Sequence, residues 1–521
     1  MKDTIVAYEQ AIQRALADIQ ALQSYEVSLQ SYRQSLLSVL SCPIARLPPE
    51  MLTIIFSMSI NLDATGAYFT TYGTQHEISQ FVKDALRLSH VSRQWKFATQ
   101  CMPRLWDDLW VSFGTGSHST DSDAQRGILA SLLQRSHPLP VSLTLKLGDK
   151  VPSDFLAILE TSAAATRVRT LRLKLSHAQF LVHIPPATRF SMLEILDISL
   201  EGYKDHSPRR IGHQVEHLLN HLQSTNLRGV TLEPLHPEMH LMPWTRLTTL
   251  ALTLEGNPTI LRDILLQCTN VVKVWFCLRT PWENMWNTPL PEIQLTILPH
   301  LGSLTIELDI EEDARDLRYY IAPLLQPFAL PVLQEFHISG QDPDCVIHAW
   351  DHIDMLHFAR SSFPTLANLA LYDLGPIDSR ELVEIIELCP CLVALTCIGL
   401  DLDVYVLCQE LTPSFRLPGL PLAPFLENLN VEGLGEFADF LGPDAMDATF
   451  LGLLAERWWS GPRSDSSHPV CRMKEVRVST EREEATDQET INELLKYTQE
   501  GLKIEYIDQW YGPNILFTAT S

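Results

Sequence analysis

Three hydrophobic rhythms follow one another along this chain. In residues 1–40, which contain neither Gly nor Pro, apolar side chains recur at helical heptad spacing. One seam position carries Ile5, Ile12, Ile19, Glu26, Arg33 and Leu40, and the other carries Tyr8, Ala15, Leu22, Leu29 and Leu36. That is a coiled-coil register interrupted by two charges in its second half. Two packings stay open: self-association through residues 1–40, or a helix lying back on the segment that follows, with the second put first. Cys42-Pro43 ends the helix.

The second rhythm is denser. Pro48 and Pro49 suit the first turn of a helix, because their φ is preset and no N–H donor is needed there. Glu50 then meets the positive end of the helix dipole. Met51, Leu52, Ile54, Ile55 and Phe56 make this helix apolar nearly all round. Such a helix needs two burial partners, one from its own small domain and one from a second chain. Farther on, Leu86, Leu88, Val91, Trp95 and Ala98 fall at helical spacing.

In order, Leu47-Pro48-Pro49-Glu50-Met51-Leu52, Ile55-Phe56, Val91-Ser92-Arg93-Gln94-Trp95 and Leu105-Trp106 resemble an F-box. Ser92 stands where that family usually has Cys, and residues 60–85 make a longer connection than usual. The resemblance implies an all-α F-box over 43–113, with an insertion at 60–85, that docks on the Skp-family adaptor of an SCF-type ubiquitin ligase. The positions it assigns to packing the module or facing the adaptor are Leu47, Pro48, Pro49, Met51, Leu52, Ile55, Phe56, Val91 and Trp95.

Residues 114–123, GTGSHSTDSD, have the composition of a linker. Beyond them comes the third rhythm, a short strand-like unit with aliphatics at the offsets L-x-x-L-x-L. It begins at Val168, Leu193, Leu227, Leu247, Val271, Leu301, Leu333, Leu366, Leu392, Leu426 and Met473. Eleven matches in order, with helical stretches such as 260–268 and 379–389 between them, are the mark of leucine-rich repeats. A strand–helix unit of this period cannot bury its apolar face alone, so it stacks on its neighbours. The spacing is irregular, and the repeats resemble the degenerate ones attached to F-boxes. The fold class expected is therefore α/β: a helical segment over 1–42, an all-α F-box, the linker, and a leucine-rich-repeat solenoid over 124–521. Parallel strands would line its concave side and helices its convex side.

Composition narrows the partners. With 39 basic and 63 acidic residues the formal charge is −24, which repels phosphate backbones and anionic lipid, so neither nucleic acid nor membrane is expected as a partner. The first residues lack the apolar core of a secretory signal, and no apolar run approaches the length of a membrane span. The 10 scattered cysteines read as reduced thiols, so the expected compartment is cytoplasmic or nuclear.

Catalytic chemistry finds little support. His213, Glu216 and His217 form H-x-x-E-H, and His221 extends the series. Ile211, Val215, Leu218, Leu219 and Leu222 claim the core side of that helix, which leaves the histidines facing solvent, where no closed zinc pocket forms. Cys389, Cys391 and Cys397 read as core packing, as does Cys268 before its strand. No phosphate loop or nucleophile elbow is present. The chain is read as a non-enzyme without metal or cofactor.

Ligand contacts fall instead to the x residues of the strands, which face away from the core. Arg172, Lys174, Trp275, His337 and Tyr372 are the candidates for binding a protein substrate, the aromatics because they are enriched at binding hot spots; the alternative, weighed equally, is that such residues meet a returning loop of the same chain. Trp282 and Trp286, in the Pro-bounded stretch 280–292, are expected to cover a solenoid edge. The functional expectation is a substrate receptor of an SCF-type ligase. The alternative is a plain repeat scaffold whose F-box-like segment only caps the solenoid.

Overall fold

Long alternation of good helix formers with serine shapes the first element. Residues Lys2–Ser41 form one helix, α1. Its serines do not break it, because Ser24, Ser28 and Ser35 donate their hydroxyls to the carbonyls of Ala21, Ser24 and Ser31. The computed structural model describes residues 2–41, 47–59, 80–113, 122–148, 151, 156, 158–161, 164–176, 190–200, 226–235, 244–255, 259–279, 295–309, 324–340, 352–375, 377–400, 402–415, 421–433, 443–459, 470–480 and 488–508. Every side chain of α1 from 5 to 37 is exposed. Among the described residues the helix therefore does not lie back on the segment that follows, contrary to the packing put first above.

Helix α2 is Pro49–Ser59, with Glu50 in its first turn and the Pro48 carbonyl accepting from the amides of Met51 and Leu52 at 3.0 and 3.2 Å. Two helices follow: α3, Gln80–Val91, and α4, Arg93–Gln100. Residues 80–85, expected in the insertion, thus belong to α3. Ser92 separates the two helices in extended backbone (φ −158, ψ 168), and its Oγ accepts from the Trp95 amide at 3.2 Å. The departure from the family pattern is thus an N-cap, the role for which serine is suited and cysteine is not.

A 3-10 turn at Pro103–Trp106 leads into β1, Asp108–Phe113. Helix α5, Ser122–Arg135, starts inside the expected linker. The chain divides into a unit of Met1–Ser112 with Asp123–Val141 and a larger unit of Phe113–Ser122 with Ser142–Ser521. Residues 124–141 consequently belong with the helical unit, not with the repeats. The reason is visible at Trp106, which is fully buried, donates Nε1 to the Thr99 carbonyl at 2.9 Å, and carries the Arg135 guanidinium 4.8 Å above its ring. Leu52, Phe56, Ala85, Ala98 and Leu105 complete this core.

The larger unit is a mixed α/β fold built on a large parallel sheet. Its strands are β2 (Val141–Leu147), β3 (Val168–Leu175), β4 (Ile195–Leu200), β5 (Gly229–Leu235), β6 (Thr249–Glu255) and β7 (Lys273–Arg279). Two-residue β8 (Thr296–Ile297) and β10 (Phe328–Ala329) pair only with each other, on either side of β9 (Ser303–Asp309) in sequence. Then come β11 (Glu335–Gly340), β12 (Asn368–Gly375), β13 (Ala394–Leu400), β14 (Asn428–Gly433), β15 (Glu475–Thr480) and β16 (Lys503–Asp508). Apart from β8 and β10, each of these strands lies beside the next in chain order from β2 onward.

All eleven predicted units fall on strands, and the register aligns their offsets. Leu171, Leu196, Val230, Leu250, Val274, Leu304, Phe336, Leu369, Leu395, Leu429, Val476 and Ile504 are paired in one row, and all are buried. The structure adds a position that the motif lacks. Three residues before the first Leu stands another buried apolar residue: Phe190, Trp244, Cys268, Leu298, Leu330, Phe363, Cys389 and Ala423. Its carbonyl accepts from the amide of that Leu, which closes a turn into the strand.

Helices return between strands where the sequence has capped amphipathic stretches. In Ser379–Glu387, Asp378 caps by accepting from the Arg380 amide; in Val404–Leu411, Asp403 accepts from Val406. With His352–Ser362, Pro443–Trp459 and Gln488–Gln499 they stack, each on the next. Arg457, inside this stack, is fully buried yet meets carbonyls rather than a carboxylate: Nε donates to Leu411 at 3.0 Å, and the two terminal nitrogens donate to Ala423 at 2.9 Å and to Leu422. Burial lowers its pKa to about 10, so it stays protonated at neutral pH. Among the described residues no helix is long and apolar enough to cross a membrane.

Candidate binding surfaces

Helix α2 turns opposite stripes to protein and to solvent. Leu52 and Phe56 are fully buried, and the Phe56 ring sits 4.9 Å from that of half-buried Trp95. Met51, Ile54, Ile55 and Met58, spaced i, i+3, i+4, i+7, are 46%, 51%, 39% and 78% exposed. The second burial partner expected for this helix is thus absent from its own unit, among the described residues. Val91, at the end of α3, and Phe97, on α4, are exposed as well. Leu47 is half-buried, with its carbonyl accepting from Gln94 Nε2 at 2.8 Å, and Pro48 is exposed; Pro49 opens α2.

These placements sort the nine sequence-predicted residues. Leu52 and Phe56 are core, so neither is available to a partner; Trp95 stacks on that core. Met51, Ile55, Val91 and Pro48 are available. Ile54, Met58 and Phe97 were missed, because nothing in their type separates an inward from an outward apolar residue until α2 and α4 have been rotated into place.

On the repeats, the predicted x residues do share one face of the sheet. Register pairs Arg172 with Asp197, then Thr231, Ala251, Trp275, Thr305, His337 and Ala370 on successive strands. Trp275 and His337 are separated only by β9, so their backbones lie about 10 Å apart. Tyr372 lies one face position along from Ala370, opposite Ser339, where the register with β13 then slips. Trp275, His337 and Tyr372 therefore make one half-buried patch. Arg172 and Lys174, four strands away from Trp275, are not part of it.

Trp275 is not a bare ring: Nε1 donates to Glu307 Oε1 at 2.7 Å. Beside it, Arg279 joins Glu233 (3.0 Å) to Asp309 (2.8 Å). Burial penalises the Arg279 charge, but the Asp309 hydrogen bond and the neighbouring anions win and carry its pKa above the ordinary value. Burial lowers the His337 pKa, against the charge of Glu335. Asp197 is raised to about 6 by burial, with Arg172 and Lys174 opposing and Glu233 assisting; Arg172 Nε is 3.9 Å from its carboxylate. Glu233, Arg279, Glu307 and Asp309 escaped the sequence reading because they lie beyond the L-x-x-L-x-L window.

Cys268, Cys389 and Cys397 are buried and Cys391 is exposed. The Cys389 thiol donates to the Ile385 carbonyl at 3.3 Å, and burial pushes the Cys268 thiol up to about 12. Among the described residues no group of three or more His, Cys, Asp or Glu is placed to hold a metal ion. His213, Glu216, His217 and His221, and the stretch 280–292 with Trp282 and Trp286, lie outside the described residues.

No protein-family profile matches this chain, and no curated protein matches it. Among solved structures, one similar chain comes from the crystal structure of the Rad7 and Elc1 complex in yeast. It is 11% identical, with 93% of this chain and 97% of that one covered, at a TM-score of 0.33. Likeness at that level carries no argument about what this chain does.

Proposed function

We propose that this protein is a substrate receptor of an SCF-type ubiquitin ligase, whose helical unit docks on a Skp-family adaptor and whose repeats bind the protein to be ubiquitylated. The observation that carries the reading is the exposed stripe Met51, Ile54, Ile55 and Met58 on a helix entered through Leu47-Pro48-Pro49-Glu50. Four apolar side chains exposed in one stripe, on the helix whose other side supplies Leu52 and Phe56 to the core, support a surface that a partner covers. The chain performs no chemistry in this reading. It raises the effective concentration of a substrate near the ligase's charged E2. Substrate contacts fall on the patch of Trp275, His337 and Tyr372, where aromatic side chains offer large area at little rotamer cost.

The test is co-purification. Met51→Glu with Ile55→Glu alters exposed positions only, so the fold is expected to stand while the Skp-family adaptor is lost. Trp275→Ala with Tyr372→Ala is expected to keep the adaptor and lose the captured substrates. Adaptor binding that is undiminished in the first variant, or absent from the unaltered protein, overturns the reading. A second variant that returns the same substrates at the same abundance overturns the placement on the sheet.

A further inference from the structure

Helix α1 carries 13 exposed large apolar side chains that the proposed function does not use. Its seam residues range from 45% exposed at Leu36 to 70% at Tyr8. In a strict heptad frame that seam takes in Glu26 and Arg33. If one step of three replaces a step of four after Leu22, both charges leave it. The seam then reads Tyr8, Ile12, Ala15, Ile19, Leu22, Tyr25, Leu29, Tyr32 and Leu36, with no polar break. A three-residue step is a local overwinding that coiled coils accept.

The steps along this seam are four, three, four, three, three, four, three, four. They read the same in both directions about Leu22. A helix with such a seam meets a second copy of itself layer for layer when the two run antiparallel. Leu22 faces Leu22 on the twofold axis, Ile19 faces Tyr25, Ala15 faces Leu29, Ile12 faces Tyr32 and Tyr8 faces Leu36. Every tyrosine then lies against an aliphatic, and the smallest residue lies against a leucine. A parallel pair in register would instead stack each tyrosine on its own copy.

Charge separates the two orientations further. Glu9 follows Tyr8 and Arg33 follows Tyr32, so each flanks the seam on its edge. In the antiparallel pair both fall between the Tyr8–Leu36 and Ile12–Tyr32 layers, on the same side. Two symmetry-related Glu9–Arg33 ion pairs result. In a parallel pair the same residues lie about 36 Å apart along the axis and do not meet.

We infer that α1 is an antiparallel homodimerisation helix, with Leu22 on the twofold axis and Glu9 of one copy paired with Arg33 of the other. The occupant of the exposed seam is a second copy of this chain. The interface is isologous and closes at two, so it forms no filament.

The experiment uses the full chain. Sedimentation equilibrium is expected to give twice the 59.0 kDa chain mass at micromolar concentration. Glu9→Lys alone and Arg33→Glu alone each replace two ion pairs by two like-charge contacts, and each is expected to weaken the dimer on the order of tenfold. The double variant Glu9→Lys with Arg33→Glu restores the pairs and is expected to return to within about twofold. Mixing full-length Tyr8→Cys with full-length Leu36→Cys under mild oxidation is expected to yield 8–36 linked peptides by mass spectrometry. A monomer at tens of micromolar, 8–8 peptides in place of 8–36, or single and double charge variants of equal strength would each overturn the inference. Adaptor co-purification is expected to be unaffected by these variants, so this inference and the adaptor reading fail separately.

Discussion

Replacing Arg457 by Met tests how the last repeats are held together. The guanidinium sits at 0% exposure and joins the end of one helix, at Leu411, to the turn into β14, at Leu422 and Ala423. Ala423 has φ 45, a left-handed backbone that a side chain disfavours. Three charge-assisted hydrogen bonds at about 1.5 kcal/mol each come to about 4.5 kcal/mol. Two effects reduce the loss. Methionine removes the cost of burying a charge, and the Ala423 carbonyl keeps a second donor, the Leu426 amide at 3.1 Å. We expect about 2 kcal/mol to remain, which is about 30-fold in a local opening equilibrium. Because a repeat array opens locally, the right assay is hydrogen exchange of the amides of residues 404–412 and 426–433, with those of β3 and β4 as internal controls. Arg457→Lys reaches fewer of the carbonyls and should fall between. Unchanged exchange at 404–412 and 426–433 in the Met variant, or equal acceleration in β3 and β4, would refute the argument.

Two further outcomes follow from local chemistry. Asp197→Asn should stabilise the protein at neutral pH, where the folded state bears the cost of a partly desolvated carboxylate. That gain should shrink as pH falls through about 6 toward the ordinary carboxylate range, because the folded state protonates first; thermal unfolding at pH 7.5 and pH 5 reads it, and a gain that grows on acidification contradicts the assignment. Ser92→Ala removes the N-cap of α4 and should cost about 1 kcal/mol in the helical unit. Ser92→Asp, which can cap as well, should recover most of it in the same melt, and an Ala variant that melts unchanged argues against the cap.

What could be read from the chain alone depended on whether the deciding contact is local in sequence. L-x-x-L-x-L is contained in six residues, and all eleven units lie on strands. Strand β16 escaped because its first motif position is Gly501, at φ 101, with Leu502 displaced by one. The buried position ahead of these eight strands changes type, from Phe190 and Trp244 to Cys268, Leu298 and Ala423, so no single letter marks it. Arg279, Glu233 and Asp309 meet across separations of 46 and 30 residues, which only the sheet register can bring together. In the helical unit the apolar density of α2 was legible but its rotation was not, and so Leu52 and Phe56, which face in, could not be told from Met51 and Ile55, which face out.

The turn ahead of eight of the described strands has a consequence for how such a chain can change. From the buried residue at Phe363 through Leu366 to Leu369 and Leu371, the alignment of a strand with its neighbours is decided within about ten residues. What lies between one strand and the next turn does not enter that alignment. Successive first positions accordingly stand anywhere from 20 residues apart, Leu227 to Leu247, to 47 apart, Leu426 to Met473. Insertions there lengthen an arc without shifting a register. Each arc is thus a place where segments can be gained, lost or exchanged by drift or by design while the sheet carries on past it.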